Sequence, residues 1–253
     1  MKRIILAILF LVVLTTQALG TDYAYLMGGR PAPGGAAASA ATDSCTGGLV
    51  LSAHFENTDK ITEGGVSGGV NNGCTTNADT TWSKTANMSY STTQKSDGSY
   101  SIYCNACSTT DAGTIGVDIN IDAGTLMFDI YVITRNKYST IIDARLDEKN
   151  WISCYFNDTE TVTCEYKGNG ITRFVSAKSN QLSADSWHSV VFKWRTGSTD
   201  PSLSIQVDAN SAVTTNDDLT ALTDTPTTLQ VHRRYTGDNT FYLDKVKVYN
   251  AWQ

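Results

Sequence analysis

Runs of Val, Ile, Tyr, Phe and Thr recur from Ser99 onward, separated in most gaps by Gly, Asn, Asp or Pro. They predict strands at 99–104, 113–121, 125–134, 138–147, 150–156, 161–167, 171–177, 186–195, 202–208, 228–234 and 240–249, after an earlier one at 49–56. No window keeps a 3.6-residue apolar period, so no sustained helix is expected. Many short strands divided by turn residues indicate an all-β fold, a sandwich or a barrel. Several runs alternate. Ile115, Val117, Ile119 and Ile121 share one face, against Gly116, Asp118, Asn120 and Asp122 on the other. His188, Val190, Phe192 and Trp194 share a face, as do Leu203, Ile205 and Val207. The last run slips phase. Phe241 and Leu243 face the same way as Val246 and Val248 only if one extra residue enters near Asp244 or Lys245, which is what a β-bulge supplies.

The first 44 residues break this rhythm. Lys2 and Arg3 precede the apolar run Ile4–Leu14, and Ala18-Leu19-Gly20 offers small residues for cleavage, so 1–20 reads as a secretory signal peptide. The run is too short for an uncleaved transmembrane anchor, which needs roughly 20 apolar residues. Residues 21–44 are dominated by Gly, Ala and Pro and read as a linker, with a short Ala-rich helix as the alternative. The globular domain is expected at 45–253. Within it, 57–82 is rich in Gly, Asn and Thr and reads as a long loop.

Charge narrows the partners. Without Lys2 and Arg3 the 19 basic residues fall to 17, against 25 acidic, for a net charge of −8. Nucleic acid and anionic lipid are poor partners for such a surface, since phosphate binding needs concentrated Lys and Arg. No segment after the signal is expected to insert in a membrane. All six Cys (45, 74, 104, 107, 154 and 164) follow the signal, and an even number in an exported chain favours disulfides. One pairing follows from the hairpin. Asn157-Asp158-Thr159-Glu160 reads as its turn, a loop at 158–160 sets Asn157 opposite Thr161, and Cys154 then falls opposite Cys164. Cys104-Asn-Ala-Cys107 follows a strand with no helical pattern after it, so a structural disulfide, within the pair or to Cys45 and Cys74, is expected there rather than redox catalysis. Two close Cys alone are a weak zinc signal.

The C-terminal third resembles a known family. Trp187-His-Ser-Val-Val, then Leu203-Ser-Ile-Gln-Val-Asp208, then Phe241-Tyr-Leu-Asp244-Lys-Val246-Lys-Val-Tyr249-Asn, are similar to the laminin-G-like modules of the concanavalin A-like lectin/glucanase superfamily. Residues 45–57 resemble their first strand, and Ala209 departs from a frequent Gly. The resemblance implies a two-sheet antiparallel jelly-roll sandwich with one concave and one convex sheet. It also implies that the first and last strands lie together, which would bring Glu56 and Asp244 close enough to hold Ca²⁺ through hard oxygen ligands. The alternative for that pair is hydrogen bonding to loop amides or to Lys245. The superfamily contains binding modules and glycan-cleaving enzymes alike, so fold alone does not decide function.

Catalysis finds little support in the residues. Glycoside hydrolysis needs two carboxylates flanking the bond. The five Glu (56, 63, 148, 160 and 165) do not fall in the Glu-x-Asp-x-(x)-Glu spacing of the superfamily's glucanases. Asp118-x-Asn120-x-Asp122 fits the polar side of a strand better than a calcium loop, since it lacks the Gly and Glu such a loop needs. Aromatic rings beside polar groups are the remaining ligand signal. Trp82, Tyr131, Tyr138, Trp151, Tyr155, Trp194 and Tyr235 are candidates, with Arg135, Arg145, Arg173 and Arg234. Trp187 and Trp194 are expected to pack inside, whereas Trp151 and Tyr235 flank turns and are expected at the surface, with Arg234 beside the latter. The leading expectation is a secreted or cell-surface, non-catalytic module that recognises a glycan or another surface ligand. A structural or adhesive protein with protein partners is the alternative, and a polysaccharide-active enzyme the third reading.

Overall fold

The computed structural model describes residues 48–53, 55, 70–71, 82–83, 87–96, 98, 100–107, 113–135, 138–157, 159–179, 181–197, 201–232 and 239–253. The predicted signal segment and linker lie outside the described residues, as do Glu56, Arg234 and Tyr235. The chain divides into two units, Met1–Gly35 and Ala36–Gln253, and all described residues belong to the second.

The described residues form β1 (Leu49–Ala53), β2 (Val70–Asn71), β3 (Trp82–Ser83), β4 (Met88–Ser91), β5 (Ser101–Cys107), β6 (Gly113–Gly116), β7 (Ala123–Thr134) and β8 (Ser139–Arg145). They continue with β9 (Trp151–Phe156), β10 (Val162–Gly168), β11 (Ile171–Ser176), β12 (Trp187–Arg195), β13 (Leu203–Val207), β14 (Val213–Thr215), β15 (Thr228–Val231) and β16 (Asn239–Tyr249). These make an antiparallel two-sheet sandwich. The first sheet runs β14-β13-β12-β7-β16-β1-β2, with β5 also on β16 and β4 on β5; the second runs β11-β10-β9-β8-β15-β6-β3. Alternating strands feed the space between them. Leu126, Phe128, Ile130 and Val132 of β7 point inward with Val190, Phe192 and Trp194 of β12, and meet Ile152, Cys154 and Phe156 of β9.

β16 organises the first sheet. Its start pairs with β5, its end with β1, and both parts with β7. The phase slip expected from sequence is present: Asp244 faces Asp129 while Lys247 faces Met127, so one residue is extra. Lys245 takes a positive φ of 48° there. The bulge lets Leu243 and Val246 both point inward, fully buried. The first and last strands are neighbours, with Ala53 opposite Val246. Asp208, the end of the Val-Asp run, ties β13 back to β12. Its carboxylate accepts the Ser189 amide N–H at 2.9 Å and contacts His188 Nδ1 at 2.8 Å.

Two details depart from the sequence-based expectation. The strand expected over 113–121 ends its regular ladder at Gly116, although Val117 and Ile119 stay buried and donate their amides to Thr227 and Pro226 carbonyls. Pro226 has no N–H to return, so the pairing becomes one-sided. The loop expected over 57–82 contains strand residues at both β2 and the start of β3.

Two aromatic residues tie peripheral segments to the core. Trp194 lies over Gly124, where an added Cβ would come within 2.1 Å of the indole, and donates its N–H to the Asn120 carbonyl at 3.0 Å. Tyr166 donates its hydroxyl to the Ile121 carbonyl at 2.9 Å and accepts the Leu222 amide N–H at 3.0 Å. Burial raises the pKa of this hydroxyl, so it stays protonated and keeps donating. Tyr166→Phe strands two backbone groups at once and is expected to cost about 1–3 kcal/mol, read from the midpoint of urea unfolding. An unchanged midpoint would show that water satisfies both groups.

Candidate functional site

Because alternate residues of a strand face opposite ways, every inward residue of the first sheet implies an outward neighbour. Tyr131 lies between inward Ile130 and Val132, Tyr103 between Ile102 and Cys104, and Tyr242 between Phe241 and Leu243. Trp187 precedes inward His188. Register then aligns them: Tyr103 is opposite Tyr242, Tyr242 opposite Tyr131, and Tyr131 opposite Trp187. Four aromatic side chains therefore form one row across β5, β16, β7 and β12, on the outer face of the first sheet. Four adjacent strands give the row a span of about 14 Å.

The rings touch in sequence. Tyr103 stacks on Tyr242 with centroids 4.6 Å apart, while Tyr242 and Trp187 each meet Tyr131 edge-on at 5.8 Å. Tyr103, Tyr131 and Trp187 are half-buried, and Tyr242 is the most covered at 6% exposure. Burial, with Tyr103 and Tyr131 nearby, raises the Tyr242 hydroxyl pKa against the pull of its Ser91 hydrogen bond. This phenol is thus neutral at physiological pH. The next row along the same face is polar. Asp129 lies between Asp244 and Ser189, and Lys245 Nζ reaches the Asp129 carboxylate at 3.5 Å. An aromatic row bordered by the Asp129 carboxylate, the Lys245 ammonium and the Ser189 hydroxyl can pack against a ligand's apolar face and hydrogen-bond its hydroxyl groups.

Of the residues singled out from sequence, Tyr131 joins the row and Asp244 adjoins it, whereas Trp151 lies on the other sheet. Asp244 is fully buried at the bulge. Its Oδ2 accepts the Ser96 amide and hydroxyl, both at 3.1 Å, and its Oδ1 accepts the Lys245 amide at 2.8 Å. These bonds fasten the segment around Ser96 to β16. Glu56, its expected partner, is outside the described residues, and so are Arg234 and Tyr235.

Trp151 is expected at the surface but is only 9% exposed. It sits on the outer face of the second sheet between the Arg145 guanidinium, 4.1 Å from its ring centroid, and the Lys167 ammonium at 3.8 Å. Its N–H is donated to the Glu165 carboxylate. The flanking β-strands supply the two cations and so cover a ring that its place beside a turn would leave open. Asp143 shares this face and pairs with Arg145 at 3.1 Å. Burial is the main cause raising the Glu165 pKa, and the Trp151 N–H opposes it. Folded Glu165 therefore holds its proton more tightly than unfolded Glu165. Its ionised form costs stability at neutral pH, and the cost fades as pH falls through the folded pKa toward the ordinary value of 4.5. Glu165→Gln keeps an acceptor for Trp151. It is expected to raise the melting temperature at neutral pH, with the gain gone by about pH 4. A gain that grew in acid would refute that sign.

Cys154 and Cys164 are direct cross-strand partners and are disulfide-bonded, in the register derived from the hairpin turn. Cys104 and Cys107 are bonded to each other. Of the row residues, only Tyr131 stands out in the sequence as a ligand candidate. Trp187 is expected to pack inside, and nothing local marks Tyr103 or Tyr242. Alternation with Ile102, Cys104, Phe241 and Leu243 is the signal that points to them.

No family model matches the sequence, and no curated protein matches it. The fold is similar to domain 4 of an extracellular arabinanase from Geobacillus stearothermophilus, solved with arabinotriose. The TM-score is 0.57 at 10% identity, covering 80% of this chain and 93% of that one. It is also similar to the receptor-binding domain of botulinum neurotoxin type G, with TM-score 0.58, 9% identity, and 81% of this chain and 48% of that one covered. A third likeness is to the binding domain of botulinum neurotoxin DC, solved with SialylT: TM-score 0.59, 10% identity, 83% of this chain and 50% of that one. The chain thus spans about half the length of the two neurotoxin domains. At such identities the likeness is one of fold.

Proposed function

We propose that this chain is a secreted, non-catalytic module that binds an uncharged glycan along the row Tyr103-Tyr242-Tyr131-Trp187. The row carries the reading, because Tyr103, Tyr131 and Trp187 are partly open around the buried Tyr242 and, bordered by Asp129, Lys245 and Ser189, form a strip rather than a pocket. A strip suits an extended oligosaccharide. The excess of acidic over basic side chains disfavours an anionic one. One neighbour in fold was solved with arabinotriose, a neutral oligosaccharide, which supports the same reading. Membership of the laminin-G-like modules and an extracellular location belong to this proposal, as does a structural Ca²⁺ held by Glu56 and Asp244.

A glycan array run with and without chelator tests it. Binding to neutral oligosaccharides is expected, and loss with chelator would support the calcium ion. An array with no binding in either condition would overturn the glycan reading and favour a protein ligand. Phe174 on edge strand β11, 59% exposed, is the apolar side chain that favours that second reading.

A further inference from the structure

One end of the sandwich holds a cluster that the proposed glycan strip does not use. The Sγ atoms of Cys104 and Cys107 and a ring nitrogen of His232 all lie within 4.8 Å of one another, and all three residues are fully buried. The cysteines belong to β5 of the first sheet. His232 follows β15 of the second, so the cluster bridges the two sheets. Its parts are held from both sides. The His232 amide donates to the Ile141 carbonyl at 2.9 Å, in a left-handed turn with φ 52° that aims the ring inward, 6.0 Å from Phe241. The Asn105 amide donates to the Asn87 carbonyl at 3.1 Å, and the Ala106 amide to the Thr240 hydroxyl at 3.3 Å. Asn105 and Ala106 are exposed, so the stretch of β5 between the two buried cysteines faces solvent.

We propose that this cluster is a zinc site that alternates with the Cys104–Cys107 disulfide. Two sulfurs at the C-x-x-C spacing and one imidazole make a soft donor set that selects zinc over calcium or magnesium. Zinc needs thiolates, so the bonded state excludes it. A dithiol reductant delivers two electrons and two protons to the bridge and closes to its own disulfide, leaving two thiols. Zn²⁺ then bonds both sulfurs and the neutral imidazole, and the two thiol protons leave to solvent. Water completes a tetrahedral set. Because the ligands come from both sheets, either state ties down this end of the sandwich, but only the metal state reaches across it.

The full chain tests this after reduction with dithiothreitol and removal of the reductant under nitrogen. With zinc, alkylation of Cys104 and Cys107 by iodoacetamide, mapped by peptide mass spectrometry, is expected to slow about tenfold or more, while Cys154 and Cys164 react as before. Cobalt in place of zinc is expected to give thiolate charge-transfer absorption. His232→Gln is expected to lose roughly tenfold in metal affinity along with zinc's rise in melting temperature. Cys104→Ser, which leaves His232 in place, is expected to abolish the cobalt band and guards against misfolding of the histidine variant. The proposal is overturned if zinc does not protect these two cysteines, if Cys104→Ser keeps the band, or if reduced chain unfolds and takes no zinc. Equal zinc affinity in folded His232→Gln and the unaltered chain would remove the histidine and with it the bridge between sheets.

Discussion

Trp187→Ala is expected to weaken glycan binding by about 2 kcal/mol, roughly a thirtyfold rise in Kd, and Tyr131→Ala to do the same. Trp187 ends the row and Tyr131 lies between it and Tyr242, so each loss removes a ring that a ligand covers and exposes the ring beside it. Neither side chain belongs to the central core, which lets binding be read on folded protein. Trp151→Ala is the contrast. Its ring is occupied by Arg145 and Lys167 and lies on the other sheet, so binding is expected to stay within about twofold of the unaltered chain. Titration calorimetry with the best array ligand separates the cases. Losses at Trp151 and none at Trp187 would move the site to the second sheet.

The largest stability effect is expected at Trp194→Ala, about 3–5 kcal/mol by urea unfolding. The indole is 1% exposed, is packed beside Phe192 with centroids 5.7 Å apart, and covers Gly124 across the β7–β12 pair. No side chain on Gly124 can fill the space left behind, and the Asn120 carbonyl loses its donor. A domain's whole stability is about 5–15 kcal/mol, so a loss of this size brings the sandwich near its limit. Trp194→Phe restores the ring without the N–H and is expected to recover most of the loss. A cost below about 1 kcal/mol for Trp194→Ala would show that the neighbouring core collapses into the gap.

What was legible in the sequence was local. The phase slip at Asp244 and Lys245 spans a few residues, and so does the turn that sets Cys154 opposite Cys164. Period-two alternation over 115–121 and in β12 and β13 revealed inward faces, and the resemblance carried by the C-terminal third implied the two-sheet antiparallel architecture. The aromatic row was not legible as a row. Its members come from positions 103, 131, 187 and 242, and only the order of strands in the first sheet aligns them. The same physics hid the metal cluster, because His232 meets the C-x-x-C stretch only where the two sheets close on each other. Trp151 erred in the opposite direction. Its turn-flanking place suggested exposure, while side chains of the adjacent strands β8 and β10 cover it.

A crystal structure of the chain with the best neutral oligosaccharide from the array tests the central claim most directly. The account expects sugar rings along Tyr103, Tyr242, Tyr131 and Trp187, with hydroxyl groups bonded to Asp129, Lys245 or Ser189. Ligand density on the Trp151 face, or at the β11 edge, would contradict it.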